Sequence, residues 1–116
     1  YPGINLSEYF QFIEEHRLPN KVKFETSTHH ILPRWAFPEF KNLTHFNWNA
    51  VILSHKNHLL AHMLLAKCWN VHENTSCVLR LTDGRTDISA LDSHWFSLYE
   101  STIKQNNINI SIRNKG

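Results

Sequence analysis

With 116 residues, 41% of them hydrophobic, and a net charge of +2, the chain has material for one small domain with one modest core, and its charge permits an anionic partner without demanding one. No apolar run approaches the length of a membrane span, and no secretory signal pattern opens the chain, so no membrane partner and a cytoplasmic or other intracellular location are expected. Two cysteines, Cys68 and Cys77, are too few for a disulfide scaffold or a zinc ribbon, and two reduced thiols are the expectation. The first residue is Tyr1 rather than Met, as expected of a processed form or an excised fragment.

The first predicted element is a helix, with Asn5 as N-cap and Glu8 three residues on as its capping-box partner. Leu6, Tyr9, Phe10 and Ile13 recur at helical spacing, and Pro19-Asn20 ends the run. Residues 21–25 alternate and read as a short edge strand. Residues 28–32 are a second extended segment, closed by Pro33. Residues 33–48 hold two prolines and five aromatics (Trp35, Phe37, Phe40, Phe46 and Trp48), an irregular loop that its aromatics pin to the core. Ala50-Val51-Ile52-Leu53 reads as a buried strand, and Ser54 caps a helix running to about Trp69, with Leu59, Met63 and Ala66 on one apolar face. Asn74-Thr75 is expected to cap a short helix through residue 81, and Asp83-Gly84 to turn the chain. A last helix is expected from 87 to about 104, on a Leu91, Trp95 and Leu98 stripe. Residues 105–116 are polar with isolated Ile residues, and read either as an extension of that helix or as a flexible basic tail. There is no internal repeat. The expected fold class is α+β: strand, long loop, strand and helix, flanked by further helices.

Chemistry concentrates in the histidines. His58 and His62 lie four apart, so on a helix both imidazoles can reach one metal ion. Taken alone, such a pair is more often two polar residues on a half-exposed face. His29 is a candidate third ligand on a strand beside the helix N-terminus, and three His ligands with an open position make a catalytic rather than a closed structural site. His30 is then left over as a general base, since imidazole exchanges protons near neutrality. A base needs an orienting partner, and Asn49 can serve through its side-chain or backbone carbonyl. The bland alternative for Asn49 is a turn residue ahead of a strand.

Three stretches together, covering roughly residues 25–69, resemble the HNH or ββα-metal nuclease family. His29-His30-Ile31-Leu32-Pro33-Arg34 is similar to the family's opening strand and turn. Trp48-Asn49-Ala50-Val51-Ile52-Leu53 is similar to its central Asn and second strand, and His58-Leu59-Leu60-Ala61-His62 to its metal-binding helix. The resemblance implies a small ββα-metal core of two antiparallel strands and a helix within a single domain spanning 1–116, followed by a helical part at about 74–104. It implies His29, His58 and His62 as metal ligands, His30 as the general base, and Asn49 as the residue that orients the base and braces the loop. The implied cofactor is one divalent metal ion. The His-rich donor set suits Zn, Ni, Co or Mn, and Mg use is also known in such sites.

The implied activity is hydrolysis of DNA phosphodiester bonds to 5′-phosphate and 3′-hydroxyl products, by an endonuclease of the homing or phage type. His30 would take the proton of water, with the metal ion stabilising charge at a phosphate oxygen and at the leaving 3′ oxygen. Arg34, just after the doublet, is a candidate phosphate clamp, with a solvated surface Arg as its alternative. His55, near the helix start, is either a substrate contact or part of the helix cap. Lys104, Arg113 and Lys115 are the better candidates for backbone contacts with DNA. The loop departs from phage-type members, being rich in Trp and Phe and free of Gly. A non-specific toxin-like nuclease and a non-catalytic, metal-stabilised DNA- or protein-binding module are the alternatives, and a dimer is compatible with the sequence.

Overall fold

The computed structural model describes residues 3–82 and 87–115, the side chain of residue 115 excepted. The helices are α1 (Ser7–His16), α2 (His55–Cys68), α3 (His72–Thr82) and α4 (Ser93–Lys115), and the strands β1 (Thr26–His30) and β2 (Ala50–Ser54) form one two-stranded sheet. The architecture is α+β, and β1, β2 and α2 make the expected strand–strand–helix core. No described helix is long and apolar enough to cross a membrane.

The strands pair antiparallel, with Thr26 opposite Ser54, His29 opposite Val51 and His30 opposite Ala50. Side chains alternate across a strand, so the buried Val51 and Leu53 define the inner face, which His29 shares. β2 runs straight into α2. Ser54 is extended at the junction and its Oγ accepts the Asn57 N–H at 3.1 Å, satisfying one of the donors that a helix start leaves open. α2 is the central element. Leu59, Leu60, Ala61, Met63, Leu64, Leu65 and Ala66 are all buried, because β1 and β2, α1, α3 and α4 pack around it. A helix enclosed on so many sides shows no narrow apolar stripe. Tyr9, Phe12 and Ile13 of α1, Val78 of α3 and Leu91 complete the core.

The N-terminal expectations need correcting in two places. Leu6, not Asn5, sits at the N-cap of α1. Asn5 Oδ1 instead takes the N–H and hydroxyl of Ser7, at 2.9 and 2.6 Å. Residues 21–25 form no strand. Phe24 adopts a left-handed backbone (φ 70°), and the Val22 carbonyl accepts the N–H groups of both Glu25 and Thr26, so this stretch is a knot of turns leading into β1. β2's outer backbone is met instead by Leu18, whose N–H bonds the Ile52 carbonyl at 2.8 Å.

The loop between the strands is ordered by its aromatics. Phe40 stacks edge-on with Phe46 and Trp48, at 5.3 and 5.1 Å between ring centroids, and short 3₁₀ turns at Pro38–Phe40 and Asn47–Asn49 reverse the chain. Further on, α3 begins at His72, ahead of the expected cap. Asn74 lies inside it and spends its side chain on the Trp35 indole N–H (2.8 Å) and the Trp69 carbonyl (2.9 Å). α4 begins at Ser93, after a 3₁₀ turn at Ile88–Ala90 capped by Asp87, and continues to residue 115, so described residues 105–115 are helix and not a flexible tail. A polar seam fixes it. Thr75 donates to Asn106 (2.9 Å), and Asn109 donates to Asn70 and Thr75. The expected turn at Asp83-Gly84 lies outside the described residues.

Candidate metal centre

β1 delivers His29 to the inner face of the sheet, and the first two turns of α2 deliver His58 and His62 one above the other. One ligand atom from each lies within 4.8 Å of the others, the only such group of three among the described residues. The His29 ring stands edge to face with the other two, which are tilted to each other, and the centroids are 4.7–5.0 Å apart. His29 is buried at 2% exposure, while His58 and His62 are part-open to a cleft of about 880 Å³.

The electrostatics favour lone pairs over protons. Burial, then repulsion from His62, His58 and His30, holds His29 well below the ordinary imidazole pKa. His62 keeps some surface open, yet protein surrounds it closely. That desolvation, with the charges of His58 and Arg80, lowers it to about 3. Neutral imidazoles converging on one point are the donor chemistry a divalent ion needs.

His29 has a partner beneath it. The Tyr9 hydroxyl, from α1, lies 2.6 Å from His29 Nε2 and donates to the Ile31 carbonyl at 2.7 Å. Burial raises the Tyr9 pKa, which keeps the phenol protonated.

His30, the last residue of β1, lines the same cleft as the three histidines. Its Nε2 meets the Lys41 carbonyl at 3.0 Å. A carbonyl only accepts, so Nε2 carries the proton and Nδ1 carries the lone pair. The expected orienting partner, Asn49, makes a different set of bonds. Fully buried, it accepts the Leu32 N–H on Oδ1 (2.7 Å), donates from Nδ2 to the Phe40 and Leu32 carbonyls (3.2 and 3.4 Å), and accepts the Ile31 N–H on its own carbonyl (2.8 Å). Asn49 therefore braces the loop, as expected. It reaches His30 only through the backbone, by holding the peptide next to Lys41.

Arg34 is exposed and lines the cleft. His55 does not reach the cleft. It sits at the other end of the hairpin, where Ser27 Oγ donates to its Nδ1 at 2.5 Å and its Nε2 donates to the Phe24 carbonyl at 2.9 Å. Those two bonds make it a staple between the left-handed turn and the start of α2, a role neither of its two readings described, and the cap of α2 is Ser54.

Four features of the site escaped the sequence reading: Tyr9, the Lys41 carbonyl, Arg80 and His72. Arg80 of α3 and Arg113 of α4 also line the cleft, with Arg113 donating to His72 Nδ1 at 2.9 Å. Arg34, Lys41, Arg80 and Arg113 make no ion pair among the described residues, and Glu73 is the single carboxylate in the lining. For Arg80 the available signal was its place seven residues after Glu73 on a helix next to the histidine helix; for Tyr9 there was none beyond its burial.

No family model matches the chain, and no curated protein or solved structure is significantly similar to it.

Proposed function

We propose that the chain is a metal-dependent endonuclease of the HNH type, hydrolysing phosphodiester bonds in DNA. One observation carries the reading. Three imidazoles converge within 4.8 Å, and a fourth, His30, shares their cleft with its Nε2 anchored on a carbonyl. A structural metal site has no use for the fourth.

A divalent ion held by His29, His58 and His62 would supply Lewis acidity to a phosphate oxygen and offset charge at the leaving oxygen; nitrogen donors suit Zn, Ni, Co or Mn better than Mg. His30 takes a proton from water onto Nδ1, while the Lys41 carbonyl keeps the ring from turning away. The water oxygen bonds to phosphorus as the bond from phosphorus to the 3′ oxygen breaks, giving a 5′ phosphate and, after protonation from solvent, a 3′ hydroxyl. Arg34 and Lys41 from the loop, Arg80 from α3 and Arg113 from α4 line the same cleft. Four positive groups in one cleft suit a polyanion running through it more than a single small phosphate ester.

The test is conversion of supercoiled plasmid to open-circle or linear form, with Mg, Mn, Co, Ni or Zn added, for the wild type and His30→Ala. The expected result is metal-dependent cleavage by the wild type and a loss of at least 100-fold in the variant, with one metal still bound per chain. Stoichiometric metal without cleavage by the wild type would replace this reading with that of a metal-stabilised binding module.

A further inference from the structure

We propose that Tyr9, on a helix outside the strand–helix core, is a positioning residue of the metal centre that selects Nδ1 of His29 as its ligand atom. The inference rests on the metal-centre reading above and on proton counting. A phenol has one proton to give. The Tyr9 hydroxyl has two close neighbours, the Ile31 carbonyl at 2.7 Å and His29 Nε2 at 2.6 Å. A carbonyl oxygen has no proton, so the phenolic proton lies between Tyr9 and Ile31. Toward His29 the hydroxyl oxygen can then only accept, and Nε2 must be the N–H. A neutral imidazole has one N–H, so the lone pair is on Nδ1. The opposite arrangement, Tyr9 donating to Nε2, leaves two oxygens 2.7 Å apart in a buried site with no proton between them.

The anchor itself is fixed. The Ile31 N–H is held by the Asn49 carbonyl at 2.8 Å, and β1 pairing sets His29 opposite Val51. Tyr9 is fully buried and meets the His29 ring edge-on, at 6.0 Å between centroids. The hydroxyl therefore ties the rotation of the His29 ring to a rigid peptide. A hydrogen bond to the far nitrogen of a ligating imidazole also raises its basicity as a donor. Through this contact α1 becomes part of the metal centre, and the ligand it serves is a divalent cation that accepts nitrogen donors.

Tyr9→Phe keeps the ring and removes only the hydroxyl. Zinc and cobalt affinity, read by chelator competition, should fall roughly 10–100-fold. In the metal-free wild type, ¹⁵N NMR of labelled histidine should show His29 protonated on Nε2, and the variant should show a mixture of tautomers, a signature that packing alone would not move. Equal affinity in a folded variant overturns the inference while leaving the metal centre intact. If the variant does not fold, the wild-type spectrum decides: a proton on Nδ1 overturns the inference, and a proton on Nε2 supports it. A wild type that binds no stoichiometric metal removes the metal centre and this inference together.

Discussion

Asn49 joins three pieces of chain: the end of β1, the tip of the aromatic loop and the start of β2. Its amide satisfies the Leu32 N–H and the Phe40 carbonyl in half-buried surroundings. Replacing it with Ala leaves those half-buried groups without their partner, at about 1–3 kcal/mol each. Asn49→Ala should therefore lose about 2–4 kcal/mol in urea unfolding, and the His30 anchor on Lys41 should loosen with it. A loss below about 1 kcal/mol would mean the loop stands on its aromatics alone. Among the five histidines of the cleft, burial and partners set His29 and His62 apart from His30 in the same way. His29 and His62 are desolvated and kept neutral, whereas His30 lies at the strand end with one nitrogen committed to a carbonyl.

Elements show where the sequence was legible. The i, i+4 histidines, the Ser54 cap and the apolar β2 are local patterns, and each landed where its spacing put it. What could not be read depends on partners distant along the chain. A left-handed Phe24 carries no local sign, since Gly or Asn is the usual occupant. The Asn-rich stretch after residue 104 has poor helix propensity, and it is helical because Asn106 and Asn109 find Thr75 and Asn70 across the packing. The hydroxyl of Tyr9 finds His29 only once α1 lies against α2. The strained turn and its staple make one unit, so His55→Ala should destabilise the fold by about 1–3 kcal/mol, seen in thermal unfolding, with metal affinity unchanged. A variant that loses DNA affinity at unaltered stability would restore His55 as a substrate contact.

At the scale of the whole molecule, the cleft is a joint between two parts. The strand–helix core supplies the three converging histidines, and α3 and α4 supply Arg80 and Arg113. If DNA passes between them, each phosphate gripped releases bound counterions, and log affinity falls with log salt by about 0.9 per contact. In a His30→Ala background, which separates binding from cleavage, the Arg80→Ala, Arg113→Ala double variant should lower the salt slope of duplex binding by about 2, measured by fluorescence anisotropy across a salt series. An unchanged slope would place the DNA on the Arg34 side alone.

The order in which this cleft is assembled along the chain has its own consequence. Tyr9 belongs to the first helix and Arg113 to the last. A ribosome therefore releases the histidine core well before α4. During that interval the nascent polypeptide has its three converging imidazoles but not yet Arg113 beside them.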